Sequence, residues 1–182
     1  MNFQFHVHLT DKDYVDFNIF WLTRSHYGKK QMLKYRLLIA LFVSVIAFLS
    51  LWGGNFTADA FIGIIPYFIL LALFQLLLKP FIVLTLKGSL KALKKHGKMG
   101  YSPDAEMEFS EDVFTETTPE NKTEQKYFSI ERISIMEDGL IYLHVSNVMA
   151  YILPVSCFAS PAQYDAFLRF ITAKCPHVDT YR

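Results

Sequence analysis

Two long apolar runs, almost back to back and without a single charged residue, limit what this chain can become. Leu37 to Trp52 reads LLIALFVSVIAFLSLW, and Ala60 to Leu78 reads AFIGIIPYFILLALFQLLL. A helix needs about 20 apolar residues to cross roughly 30 Å of hydrocarbon, a length the first run reaches if it is extended to Phe56. The second run carries 13 Leu, Ile, Phe or Val residues, which favour insertion by roughly 4 to 8 kcal/mol. Neither run has the polar stripe of a helix lying on the surface of a soluble protein. A transmembrane hairpin is therefore expected over residues 37–78, with spans at about 37–56 and 60–78.

Ala58-Asp59-Ala60 matches the small-x-small pattern of signal-peptide cleavage. However, 36 mostly polar residues precede the apolar run, far more than a short basic leader, and a second span follows at once. Basic residues then set the orientation. Lys29, Lys30, Lys34 and Arg36 precede the first span, with Arg24 further upstream, and Lys79, Lys87, Lys91, Lys94, Lys95 and Lys98 follow the second. The connection Gly53 to Asp59 has no Lys or Arg. The positive-inside rule places both termini in the cytoplasm and the connection outside, which predicts a multi-pass protein of the inner (cytoplasmic) membrane. Lys29, Lys30, Lys34, Arg36, Lys87, Lys91, Lys94, Lys95 and Lys98 become the candidate lipid-surface contacts, on a basic juxtamembrane helix at 79–100 and on the approach to the first span.

The formal charge of +1 conceals an asymmetry: residues 1–100 hold 12 Lys or Arg against 4 Asp or Glu, and residues 101–182 hold 6 against 13. A nucleic-acid partner would call for a basic folded domain, and here that domain is acidic. Cys157 and Cys175 lack metal or redox spacing, and His6 and His8 share a strand face with no third ligand nearby, so no metal or cofactor is expected. There is no Gly-rich phosphate loop, HExxH or GxSxG, and the reading is not an enzyme.

Outside the spans, Phe3, Phe5, Val7 and Leu9 alternate with Gln4, His6, His8 and Thr10, the period of a half-buried strand. Such a strand needs a partner, and the first 36 residues offer none, so it is expected to join the sheet of a domain spanning 101–182. Thr10 and Asp13 resemble a capping box that opens an amphipathic helix toward Leu22. Strands are predicted at Met107–Ser110, Val113–Thr117, Tyr127–Met136, Leu140–Val145 and Val148–Leu153, with turns at Pro119-Glu120-Asn121 and Glu137-Asp138-Gly139. A helix follows, capped by Ser160, with Pro161 at its first position and Tyr164, Phe167, Leu168 and Ile171 on one face. The fold class is a membrane α-helical hairpin plus an α+β domain, with a small antiparallel sheet or barrel closed by a C-terminal helix.

Tyr127-x-Ser129-Ile130-x-Arg132-Ile133, Ile141-Tyr142-Leu143, Ala150-Tyr151-Ile152-Leu153-Pro154, Phe158 and Ser160-Pro161, set behind a strand, a helix and two spans, resemble the YcxB-like family of bacterial membrane proteins. The resemblance implies a C-terminal domain similar to pleckstrin-homology-like modules and no defined biochemical role. In that family's pattern the proline is often followed by basic residues, whereas here Val155-Ser156-Cys157 follows Pro154. The expected function is a membrane-anchored interaction module whose partner, beyond the bilayer itself, is a protein or a lipid head group. Homo-oligomerisation is left open. The alternative is a subunit of an oligomeric transporter or channel, motivated by Pro66 and Gln75 inside the second span.

Overall fold

The structure is a computed structural model that describes residues 2–52, 62–97 and 101–181. The expected connection at Gly53–Asp59, the start of the second span at Ala60, and Lys98 lie outside the described residues. The chain divides into two compact units: Met1–Phe17 with Met99–Arg182, and Asn18–Lys98.

The first unit begins with β1 (Phe3–His8) and takes in the opening turns of α1 (Asp11–Arg24). The capping box forms as the sequence suggests. Asp13 accepts from Thr10 N–H at 2.8 Å and from Thr10 Oγ1 at 2.6 Å, while Asp13 N–H donates to Thr10 Oγ1 at 3.3 Å. β1 finds its partner in β2 (Asp104–Phe109), antiparallel, with a register running from Phe3↔Phe109 to His8↔Asp104. β3 (Val113–Thr117) and β4 (Lys122–Lys126) complete a four-stranded sheet in the order β1-β2-β3-β4.

A second sheet has the order β7-β6-β5-β8, from β5 (Arg132–Met136), β6 (Ile141–His144), β7 (Ala150–Leu153) and β8 (Val178–Tyr181). β8 runs parallel to β5. The expectation of one small antiparallel sheet or barrel is thus corrected: among the described residues there are two sheets, no closed barrel, and one parallel pair. The long strand expected at Tyr127–Met136 is also divided. Tyr127–Ser129 is a turn of 3₁₀ helix, held where Tyr127 Oη donates to the Ser110 carbonyl at 2.6 Å and Ser129 Oγ donates to the Lys126 carbonyl at 2.8 Å. The turn at Gly139 is as read: its φ of 81° is a left-handed conformation that favours glycine.

Between β7 and β8 lies helix α4 (Pro161–Lys174), where Gln163 N–H donates to the Ser160 cap at 3.2 Å. The C-terminal helix closes the domain as expected from the sequence, and its core contacts reach both sheets. Phe167 is fully buried and packs edge-on to Phe5 of β1 at 5.0 Å and to Phe109 of β2 at 4.8 Å. The helix shares one hydrophobic core with Phe5, Val7, Met107, Phe109 and Phe114 of the first sheet and Ile133, Ile141, Leu143 and Leu153 of the second.

The second unit contains the rest of α1, then α2 (His26–Trp52) and α3 (Ile65–Lys95). Two of these helices are long and apolar enough to cross a membrane, by length and composition. α3 continues through Pro80, so the basic segment is an extension of the second apolar helix and not a separate element after Lys79-Pro80. α1 and α2 meet at a tight corner. Ser25 Oγ donates to the Trp21 carbonyl and accepts from Gly28 N–H at 2.9 Å. A methyl group at Gly28 would overlap the Trp21 carbonyl oxygen, so close backbone approach requires glycine there.

Candidate functional site

Of the nine basic residues picked out from the sequence, the eight among the described residues fall into two groups once folded. Lys29, Lys30, Lys34 and Arg36 lie exposed on the first turns of α2, and Lys87, Lys91, Lys94 and Lys95 lie exposed toward the end of α3. Two of the first group, Lys29 and Arg36, line a common cleft with Lys79 of α3, and the remaining wall is mostly apolar, formed by Leu22, Met32 and Leu33 with Thr23. Its volume is about 370 Å³. Lys29, Leu33 and Arg36 face the cleft because positions four and seven apart share one side of a helix. Lys79 is one turn beyond Gln75, whose Nε2 donates to the Arg36 carbonyl at 3.2 Å, so this hydrogen bond sets the two helices level at the cleft. Next to it, Ile19 and Leu22 of α1 meet Ile82, Val83 and Leu86 of α3 so closely that only about 10 Å³ remains. Lys79 had been read only as a charge flanking the span. The signal that could have singled it out is its position as the first charge after the second apolar run, matching Arg36 as the last before the first.

Two polar clusters in the other unit have a different character. His6 and His8 point outward from β1 and each meets the carboxylate opposite it on β2: His6 Nδ1 lies 2.9 Å from Glu106, and His8 Nδ1 lies 2.7 Å from Asp104. The paired register explains both contacts, since His6↔Glu106 and His8↔Asp104 are directly opposed. Among the described residues no group of three or more His, Cys, Asp or Glu is arranged to hold a metal ion.

Ser134 Oγ and His144 Nε2 are 3.0 Å apart across β5 and β6, the distance of a nucleophile and its base. Both are buried, at 1% and 6% exposure, and Phe17 packs on the imidazole at 6.2 Å. Burial, with a smaller contribution from Arg132, pushes the imidazole down to about 4. A pair enclosed in this way satisfies two buried polar groups. Burial likewise pushes the Cys157 thiol up to about 12, far from a reactive thiolate at neutral pH.

The segment that contains Ser134 and His144 also carries a family match. Residues 109–171 match the YcxB-like protein family. No curated protein and no solved structure matches the chain. The YcxB-like segment takes in β3 to β7 and most of α4, and it leaves out β1, the hairpin and the basic cleft. Within it, Phe128 is 85% exposed, and Val148 and Met149 are exposed large apolar side chains. The register Arg132↔His144 puts the Phe128 turn and the Val148-Met149 turn at the same end of the second sheet. Sequence reasoning missed this apolar tip because Phe128 and Val148 fell within runs read as strands.

Proposed function

We propose that the chain is a membrane-anchored interaction module of the cytoplasmic (inner) membrane, in which α2 and α3 span the bilayer and a pleckstrin-homology-like domain captures a protein partner on the cytoplasmic side. The observation that carries the reading is the pairing of β1 with β2. Strands that hydrogen-bond to each other along their length share one side of a membrane, so the chain between them crosses an even number of times. Two apolar helices supply that number, and the basic residues around them favour the cytoplasm for both ends. Four meandering strands, three more and a C-terminal helix support the pleckstrin-homology-like comparison.

The apolar tip supports a protein as the partner. The unit that carries it, Met1–Phe17 with Met99–Arg182, holds 7 Lys or Arg against 16 Asp or Glu. An anionic leaflet repels such a surface, while a protein with a cationic rim around an apolar centre complements it. The motive for a transporter subunit is weaker. Gln75 is engaged with Arg36, and Ser50 Oγ with Tyr67 Oη at 2.9 Å, so these polar groups are satisfied inside the hairpin.

A photo-crosslinking residue at Phe128, introduced in living cells, tests the reading. The expected result is one protein adduct, identified by mass spectrometry, that disappears when Met149→Asp is added and whose partner shows a basic contact surface. Adducts to lipid alone, or a protein adduct indifferent to Met149→Asp, would overturn it.

A further inference from the structure

We propose that the cleft between Lys29, Arg36 and Lys79 binds the phosphate of an anionic phospholipid head group. The proposal rests on α2 and α3 being membrane spans, and adds a defined lipid site to the anchor.

The charges call for an anion. Asn18–Lys98 contains 11 Lys or Arg and a single acidic residue, Asp59, which lies outside the described residues. Among the described residues none of the three cleft cations forms an ion pair. Like charges gathered around one cavity repel, and an anion held between them reverses the sign of that interaction.

The position of the cleft selects the kind of anion. Arg36 directly precedes one charge-free run, and Lys79 directly follows the other. In a bilayer those positions mark the edge of the hydrocarbon, at the depth of the phosphates. Lys29 stands seven residues before Arg36, roughly 10 Å further out at the rise of an α-helix, within reach of the outer part of a head group. The side chains differ usefully. Arg36 offers a planar fork that can take two phosphate oxygens, and Lys29 and Lys79 act as mobile point charges. Leu22, Met32 and Leu33 give the cleft an apolar side against which a glycerol backbone can lie. The volume of about 370 Å³ equals that of roughly a dozen waters, ample for such a group. Lys87, Lys91 and Lys95 have the same charge but do not line this cleft, and so provide the control.

The test uses the full chain purified in a neutral detergent. Native mass spectrometry counts bound phosphatidylglycerol and, separately, phosphatidylcholine, with inorganic phosphate as competitor. The parent should hold one phosphatidylglycerol per chain and much less phosphatidylcholine. Lys29→Gln/Arg36→Gln/Lys79→Gln should weaken phosphatidylglycerol by about tenfold or more, and Lys87→Gln/Lys91→Gln/Lys95→Gln by less than about twofold. Arg36→Lys keeps the charge and loses the fork, and should weaken binding at unchanged melting temperature. Equal losses in the two triple variants, equal retention of both lipids, or no retained lipid at all would overturn the site while leaving the anchor intact. Displacement by millimolar inorganic phosphate would make it a soluble-phosphate site and overturn the lipid assignment. Release of the chain from membranes by alkaline carbonate would instead remove the anchor reading on which the proposal stands.

Discussion

Phe5 and Phe167 meet edge-to-face, with ring centroids 5.0 Å apart and planes at 85°. This contact joins the first strand of the chain to its last helix, so the two ends of the sequence stabilise each other. Phe167→Ala removes a fully buried ring and should cost about 3 to 5 kcal/mol, a large share of the roughly 5 to 15 kcal/mol that holds a domain together. Phe5→Ala should cost a similar amount despite lying in a separate part of the sequence. In limited proteolysis of the membrane-inserted protein, both variants should lose the 101–182 fragment quickly while the parent keeps it.

His144 makes stability depend on pH. Its ordinary value near 6.5 is lowered to about 4 in the folded protein. Between those values the unfolded chain takes up a proton that the folded chain refuses. The stabilisation is therefore complete above about pH 6.5 and is lost as pH falls toward 4, by roughly 3 kcal/mol in all. Urea midpoints measured from pH 7.5 to 4.5 should fall, and the decline should be shallower in His144→Gln.

The corner between α1 and α2 has no room for a side chain at Gly28. Gly28→Ala must push the helices apart, and should lower the melting temperature of the detergent-solubilised protein by several degrees. Gly88→Ala, on the open side of α3, should leave it unchanged or raise it, since nothing lies within 4 Å of the added methyl.

Topology is best read from introduced cysteines, because Cys175 is buried and burial raises the Cys157 thiol. In a background without them, Thr57→Cys should react with a membrane-impermeant maleimide on intact cells. Glu120→Cys, on an exposed turn, should react only after lysis. The reverse pattern would invert the orientation.

Much of this fold could be read from the sequence where side chains decide the structure. β1 shows through the alternation of Phe3, Phe5 and Val7, and α4 through Ser160-Pro161 and its apolar face. β4 could not be read, because Lys122–Lys126 is entirely polar and is held by its backbone ladder to β3. β8 follows Pro176 and pairs in parallel with β5, a non-local contact that no local pattern announces. The cleft was legible only as charge. Which of the cations converge depends on the second half of α1 folding against α3, and that packing has no signature in the spacing of the lysines.

The separation of β1 from β2 also imposes an order of events during synthesis. β1 leaves the ribosome first, and its partner follows only after both apolar helices have been made. At about 5 to 20 residues per second, that leaves Phe3, Phe5 and Val7 unpaired for roughly 5 to 20 s. On the proposed topology, the strand is during that interval an open edge beside a bilayer. His6 and His8, alternating with those apolar positions, keep one face polar throughout the wait. If α2 and α3 span the bilayer as proposed, insertion of the hairpin comes before closure of the first sheet, and a chain whose second helix stalls in the translocon is left with an N-terminal strand that other nascent chains can capture.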